Sequence, residues 1–430
     1  MIRETADPSP SSQPPAILRW SVLVFVSLAM FGNYYVYDSI SPLADVLKRQ
    51  LHFSDADIGT LNGIYSLPNV IMVLIGGIII DRIGTRRSTI LFACLCVCGA
   101  VVTTLHPALW SMATGRLIFG LGAESMIVAV TTALAKWFKG KELSFAFGLN
   151  LTIARLGSFA ALNSATWARS LYASWRGPLL LAAVISLTCV IGAVIYWILE
   201  SSAARRYELG DASKPDKIEW QDVFTFSRSY WYIVGLCAVF YSGIFPFQTF
   251  AVKFFIEAHG TSRELGSFLS SMLTLFAMIC TPLFGLLADR IGKRSQLMMV
   301  GSVLLIPVYL LMAYTHVSLY VPMSMMGIAF SLIPAVMWPS VAYVVQEVRL
   351  GTGYGLMTMI QNIGLTIFNF LIGWANDISG AGPQNPGGYD LGMWLFSTLG
   401  ILGLVFAILL NRSEAGPHGH GLDTIRAGGE

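Results

Sequence analysis

The sequence predicts an all-α membrane protein in which twelve transmembrane helices form two six-helix, pseudo-symmetric bundles. Two observations support this prediction: an apolar composition, and a set of sequence matches that recur at one spacing. Of the 430 residues, 55% are hydrophobic and only 12% are charged, whereas soluble domains carry about 25% charged residues. Because backbone groups in lipid must be satisfied within their own segment, the spans are expected to be helices.

Apolar runs of roughly twenty residues, the length that crosses a bilayer as a helix, recur along the whole chain. We place twelve of them at residues 17–40, 58–80, 88–106, 109–135, 142–167, 176–199, 230–256, 264–288, 295–315, 317–346, 351–376 and 390–411. All six cysteines fall in these runs, most densely in CLCVC at 94–98. Residues two apart fan around a helix. We therefore interpret these cysteines as small apolar filler rather than a metal site, and we expect no metal and no cofactor.

The second half of the chain repeats the first. The string GGIIIDRIGTRR at 76–87 returns as FGLLADRIGKRS at 284–295. Similarly, AFGLNLTIARLG at 146–157 returns as GYGLMTMIQNIG at 353–364. Nearly the same number of residues separates the copies in both pairs, which predicts that six helices are duplicated in parallel topology.

The repeat and the charges predict how the chain is divided and oriented. The predicted parts are a disordered tail at 1–16, a six-helix bundle at 17–199, a linker at 200–229, a second six-helix bundle at 230–411 and a tail at 412–430. Lys and Arg concentrate in the loops of one side, at 82–87, 136–141, 205–228 and 290–294. By the positive-inside rule that side, with both termini, is cytoplasmic. The net charge of +3 is modest, and no basic block suggests a nucleic-acid partner.

Two equivalent loops of the repeat carry an acid beside basic residues. Asp81 and Arg82 in the first half correspond to Asp289 and Arg290 in the second. An aspartate at a helix end can hold basic residues or the N-terminus of a neighbouring helix. We predict that these loops latch one conformation of two halves that rock around a midplane site. The alternative is that the charges only set the topology.

Ionisable side chains within the spans are few, and a charge at the bilayer centre costs at least about 3 kcal/mol. Glu124 in the fourth span and Arg155 in the fifth lie about 18 to 20 Å from the inner ends of their helices, at 1.5 Å per residue. At equal depth on neighbouring antiparallel helices, the two can meet. Three roles are open: the two ends of a site for a zwitterion, an ion pair that joins two helices, or proton coupling.

Two further charges each have two interpretations. Arg116 lies on nearly the same helix face as Glu124 but further toward the outside. It is either a gating or coupling residue or a structural group that bonds backbone carbonyls. Asp38, near the outer end of the first span, is either a gate residue or an acid at a helix end.

The paired loops, together with GRLIFGLGAES at 115–125, resemble the signatures of the major facilitator superfamily. Three further segments resemble its lysosomal dipeptide transporter branch: WFKGKELSFAFGLNLTIARLGS at 137–158, FYSGIFPF at 240–247 and LGTGYGLMTMIQNIGL at 350–365. The resemblance implies the major facilitator fold over 17–411 and a dipeptide uniporter, which in animals has a glycosylated single-pass partner. Because the N-terminal tail has no acidic dileucine signal, we expect a bacterial plasma membrane rather than a lysosomal one.

Aromatic and amide side chains, in segments that line the pathway of this fold, supply the rest of the expected binding site. The residues selected are Tyr37, Tyr65, Asn69, Tyr241, Phe245, Trp338, Gln361 and Asn362. Any one aromatic could equally lie at the bilayer interface or in the core, whereas adjacent amides inside a membrane helix need polar partners. Asn and Gln side chains can satisfy both the donor and the acceptor of a peptide bond.

The residues and the resemblance together predict a secondary transporter of small zwitterionic peptides, most simply dipeptides, working by uniport or weak coupling. The strings GxxxxGK[ST], HExxH and GxSxG are absent, so neither ATP-driven transport nor a familiar hydrolase is indicated. Two alternatives stay open. One is proton-coupled symport of organic anions, and the other is a receptor or sensor without transport.

Overall fold

The computed structural model describes residues 14–138, 143–204, 206–207, 226–346, 349–417 and 419–425; within these ranges the side chains of residues 73, 74, 81, 143–145, 350 and 351 are not described. Its helices are α1 (Ala16–Asp38), α2 (Ala44–Leu51), α3 (Asp55–Gly63), α4 (Ser66–Leu105), α5 (Leu109–Phe138), α6 (Leu143–Leu162), α7 (Ser164–Trp167), α8 (Arg176–Ala203), α9 (Arg228–His259), α10 (Arg263–Ile291), α11 (Arg294–Tyr314), α12 (Tyr320–Val344), α13 (Leu350–Ile378) and α14 (Asp390–Glu414). Residues 1–13 of the predicted N-terminal tail and most of the predicted linker lie outside the described residues, and α1 begins at Ala16, the last residue of that predicted tail.

The predicted all-α membrane fold is confirmed. In the described part of the chain, ten segments are long and apolar enough to cross a membrane. Of the two remaining predicted spans, 58–80 is covered by α3 and the first part of α4, and 142–167 by α6 and α7. Helices α1 to α8 make up the first half and α9 to α14 the second. The fourth and fifth predicted spans are α5 and α6, and the tenth and eleventh are α12 and α13.

Helix α4 contains two spans that the sequence predicts as separate helices. It changes direction at Gly84, whose φ of 81° and ψ of 159° are not helical. Gly292, the matching residue of the second half, also has a positive φ, 66°. Because side chains disfavour positive φ, this turn explains why both copies of the loop carry glycine at this position.

The two halves contact each other on one side of the molecule. We call the side on which α1 begins and α14 ends the terminal face, and the side on which α1 ends the opposite face. Ion pairs cross between the halves at the opposite face. They are Asp45 with Arg263 at 2.5 Å, Asp55 with Lys253 at 2.5 Å and Arg169 with Glu264 at 3.2 Å. Other polar contacts between the halves lie at this face, as between Ser41 and Gln248, or beside the central cavity, as between Asn69 and Asn362.

Backbone contacts close the same face. The Asp377 carboxylate of α13 accepts hydrogen bonds from the backbone N–H groups of Asp55 (2.8 Å) and Ala56 (2.7 Å), at the N-terminus of α3, where a negative charge is favourable. Gly59 of α3 lies directly against the carbonyl of Asn369 in α13. A Cβ at Gly59 would overlap that carbonyl, so glycine is what allows the two halves to meet here.

We therefore expect Gly59→Val to push the halves apart at the opposite face. The measurement is the rate at which a membrane-impermeant maleimide modifies Thr249→Cys, a buried position just inside this face, in a background without the native cysteines. An increase of about fivefold or more is expected, the smaller end of typical coupling between conformations. The control is Gly148→Val, because a Cβ at Gly148 meets open space. Equal labelling of the two variants would contradict the close contact.

Candidate functional site

A cavity of about 280 Å³ lies between the two halves. The first half contributes side chains from α1, α5 and α6 together with Tyr65, which directly precedes α4; the second half contributes side chains from α9, α10, α12 and α13. The sequence-predicted residues that line it are Tyr37, Asp38, Tyr65, Glu124, Arg155, Tyr241, Phe245, Trp338, Gln361 and Asn362. The tertiary structure thus brings residues from both halves of the repeat to one chamber.

Glu124 reaches the cavity from α5. Gly120, one turn earlier, lies against the backbone carbonyl of Tyr65, so α5 approaches α4 closely. The Tyr65 hydroxyl donates a hydrogen bond of 3.1 Å to Glu124 Oε1. This bond orients the carboxylate and uses one of its two oxygens, which leaves acceptor capacity for a ligand.

Arg155 reaches the same cavity from α6. Gly157 of that helix lies against the Phe31 carbonyl of α1, which brings α6 close to the first helix. The Arg155 guanidinium lies over the rings of Tyr34 and Phe330, at 5.6 and 5.4 Å from their centroids. In the described part of the chain, the Glu124 carboxylate and the Arg155 guanidinium do not form an ion pair with each other. Both charged groups therefore remain available within one chamber.

Amide side chains make the contact between the halves beside the cavity. Asn362 of α13 lines the cavity, and its Oδ1 accepts a hydrogen bond of 3.4 Å from Asn69 Nδ2 of α4. Asn69 itself is fully buried and lies behind Asn362 rather than in the cavity wall. Asn69 is placed to orient Asn362, because the Asn69 side chain contacts the Asn362 amide rather than the cavity.

The second half supplies an aromatic wall. Tyr241 and Phe245 of α9 stack at 5.6 Å with an interplanar angle of 5°. The Trp338 indole N–H donates to the Tyr241 hydroxyl at 3.0 Å, and the Tyr354 hydroxyl donates to the Trp338 carbonyl at 3.0 Å. These hydrogen bonds give the polar groups of the buried Tyr and Trp side chains the partners they require, and they fix the orientation of the rings.

Arg116 is placed behind this site, outside the wall of the main cavity. Its side chain is 1% exposed and donates to the carbonyls of Leu61 (3.2 Å), Val36 (2.9 Å) and Tyr37 (3.1 Å) and to Asn62 Oδ1 (3.1 Å). Carbonyls in the last turns of α1 and α3 lie at the negative ends of these helices and favour a cation. Of the two interpretations of Arg116, the geometry matches the one in which it bonds backbone carbonyls.

The remaining predicted gating residues lie at the two faces. Asp38 is the last residue of α1 and lines both the main cavity and a smaller one beside Asn62. Asp289 pairs with Arg294 of its own half at 3.0 Å, while Arg82 and Arg290 are exposed. The side chain of Asp81 lies outside the described residues. The latch role of the two loops stays a prediction.

Several residues that line the cavity were not selected from the sequence, among them Asn33, Ser158, Gln248, Thr274, Phe330 and Thr358. Three had a usable signal, because residues three apart share a helix face. Ser158 follows Arg155 by three positions, Gln248 follows Phe245, and Thr358 precedes Gln361. Phe330 precedes Trp338 by eight positions and so shares nearly the same helix face, but α12 is apolar all round, so the sequence did not distinguish this ring from its neighbours.

The family model of the Major Facilitator Superfamily matches residues 26–271 and 234–422. The chain belongs to this superfamily. The human lysosomal dipeptide transporter MFSD1 is 32% identical over 413 residues, which are 93% of this chain and 87% of that protein. The zebrafish protein of the same name, from Danio rerio, is 33% identical over 386 residues, 86% of this chain and 84% of its own.

A solved structure supports the fold. A bacterial homologue of the human lysosomal transporter Spinster, in an inward-facing and unoccupied conformation, has a TM-score of 0.73 at 17% identity and covers 93% of this chain and 98% of its own. At that identity the likeness shows the fold alone. The chain is thus an integral, multi-pass membrane transporter of the major facilitator superfamily, as its sequence motifs predict.

Proposed function

We propose that this protein transports dipeptides across its membrane by alternating access, as a uniporter or with weak coupling. The observation that carries the proposal is the pair of opposite charges, Glu124 and Arg155, that line one cavity without pairing with each other. The names of the relatives that match most of the chain agree with it.

The charges suit the two ends of a zwitterion. Glu124 would accept hydrogen bonds from the substrate ammonium, and Arg155 would hold the carboxylate through its planar fork of N–H donors. Both residues belong to the first half, so the substrate backbone would be attached to that half. Between the two ends, Gln361 and Asn362 from the second half would pair with the donor and acceptor of the peptide bond.

Contacts between the halves close the opposite face, so the cavity would open toward the terminal face in this conformation. If the terminal face is cytoplasmic, as the distribution of Lys and Arg predicts, the conformation described here is closed to the outside. Substrate would then leave or enter on the cytoplasmic side, and the ion pairs at the opposite face would break in the other half of the cycle. We place the protein in a bacterial plasma membrane, and an accessory single-pass subunit would accompany it only in an animal.

Proton-coupled symport of an organic anion is the second candidate. It is favoured by Asp38, a second carboxylate in the wall of the same cavity. In that case Arg155 would bind the anion and a carboxylate would carry the proton. A sensor without transport is the third possibility, and it predicts binding without exchange.

Counterflow in proteoliposomes separates these functions. We expect vesicles loaded with unlabelled dipeptide to accumulate labelled dipeptide with no pH gradient, and an imposed gradient to change the initial rate by less than about twofold. N-acetylated and C-terminally amidated dipeptides should compete poorly, because each lacks one charge. A strict requirement for a proton gradient together with uptake of organic anions would favour the symporter, and binding without counterflow would favour the sensor.

A further inference from the structure

The Arg155 guanidinium is held between two aromatic rings from different halves of the molecule. Tyr34 belongs to α1 of the first half, and Phe330 to α12 of the second, with ring centroids 5.6 and 5.4 Å from the guanidinium carbon. Within the described side chains no carboxylate pairs with Arg155. Its positive charge thus lies against the negative faces of these two rings.

Other rings fix the orientation of Phe330. It packs edge-to-face against Phe245, at 5.8 Å and 88° between the ring planes. It also stacks with Phe240, at 6.5 Å and 15°. Phe330 is only 3% exposed, yet it is part of the cavity wall. The face it presents to Arg155 is consequently fixed before any ligand arrives.

A ring face and a carboxylate hold an arginine in different ways. The ring attracts the charge through its quadrupole but takes none of the strong hydrogen bonds of the guanidinium. A carboxylate partner would occupy the planar fork of N–H donors that a substrate carboxylate needs. Holding Arg155 by π faces therefore orders the side chain while leaving its donors free, which lowers the entropy lost on binding.

We propose that Phe330 is a positioning residue for the carboxylate end of the substrate, acting by holding the Arg155 guanidinium in its binding orientation. The inference rests on the proposed dipeptide function and adds a residue to its carboxylate site. Because Arg155 and Phe330 come from opposite halves, the complete carboxylate site exists only while the halves are arranged as they are here.

The test compares a dipeptide with its C-terminal amide as competitors of labelled dipeptide uptake. The ratio of the two half-inhibitory concentrations measures how strongly the carboxylate is recognised. We expect Phe330→Leu to reduce this preference for the carboxylate about tenfold, which corresponds to about 1.4 kcal/mol and lies between the values of exposed and desolvated cation–π contacts. The amide, which does not use Arg155, should compete equally well in wild type and variant.

Phe247→Leu is the matched control. It removes the same ring from a buried position of the second half, but Phe247 packs against Phe254, Tyr309 and Phe396 rather than Phe330, and it lies outside the cavity wall. The preference for the carboxylate should be unchanged in this variant. Trifluorophenylalanine at position 330 keeps the shape of the ring, but its fluorine atoms withdraw electron density from the ring face. It should therefore weaken the preference for the carboxylate even if Phe330→Leu folds poorly.

Equal loss of affinity for the acid and the amide would show that Phe330 only packs, and would overturn the proposal. An unchanged preference in both the Leu and the trifluoro variants would also overturn it. A wild-type protein that binds acid and amide equally would instead overturn the zwitterion site itself. The failure of this inference can thus be told from a failure of the proposed function.

Discussion

Glu124→Gln is expected to lower dipeptide uptake by roughly a hundredfold or more while leaving a folded, monodisperse protein. The substitution keeps the shape of the side chain and the oxygen that accepts the Tyr65 hydrogen bond, but it removes the charge opposite the substrate ammonium. Losing one member of a buried, hydrogen-bonded charge pair typically costs about 2–5 kcal/mol. Initial rates of uptake in proteoliposomes, normalised to inserted protein, measure the effect.

Arg155→Ala should cause a loss of uptake of the same order, because it removes the charge that would bind the substrate carboxylate. N-acetylated dipeptides separate the two ends, since they lack the ammonium and should lose no further affinity in Glu124→Gln. The control is Glu264→Gln, a carboxyl-to-amide change at the opposite face in a pair with the largely exposed Arg169. Normal uptake by both Glu124→Gln and Arg155→Ala would disprove the zwitterion site that these two residues are proposed to form. Loss of folding in both would show that the two residues support the packing of α5 and α6 rather than bind substrate.

Lys253→Met should strongly destabilise the closed opposite face. Lys253 and Asp55 are both fully buried and 2.5 Å apart, one from each half. Among the described side chains, removing the lysine leaves the Asp55 carboxylate with only the more distant, partly exposed Lys48 at 3.3 Å, and it also removes the partner of Glu257 at 3.4 Å. Breaking a buried pair by removing one partner costs about 3–5 kcal/mol. Because the pair joins the two halves, most of this cost falls on the closed state, and Thr249→Cys should become much more reactive to the impermeant maleimide.

Arg169→Met provides the matched control for this prediction. It breaks another ion pair between the halves at the same face, but Arg169 is 80% exposed, and exposed pairs contribute about 0–1 kcal/mol. Labelling of Thr249→Cys should therefore change little. The double variant Lys253→Met with Asp55→Asn should be less open than Lys253→Met alone, because it leaves no uncompensated aspartate. Similar labelling of the Arg169 and Lys253 variants would contradict the assigned role of the buried pair.

Glu124 and Arg155 were predicted to lie at equal depth, and both line the same cavity. Depth along a helix follows directly from residue number, at 1.5 Å per residue. The rotation of each helix does not, and rotation decides which side chains face the chamber. This is why Asn69, selected on the same grounds as Asn362, lies behind it.

Arg116 illustrates the same limit at the helix ends. The sequence left open whether it gates the pathway or satisfies the backbone. The hydrogen bonds that Arg116 makes depend on α1 and α3 ending within reach of one guanidinium, and no local sequence pattern encodes that arrangement. Gly84 and Gly292 recur at the same place in the repeated loop, but their positive φ is known only from the structure.

The sequence was sufficient to predict the membrane class, the helices and the two-half architecture, from its composition, the length of its apolar runs and its internal repeat. The physical reason is that backbone groups in lipid must form hydrogen bonds within the protein, which few structures allow. The motifs that carry the resemblance were sufficient for the family. The tertiary arrangement alone decided that Glu124 and Arg155 remain unpaired, that Phe330 faces Arg155, and that buried ion pairs close the opposite face. Each of these depends on helices distant in sequence meeting at a particular angle and distance, which packing of the whole molecule determines.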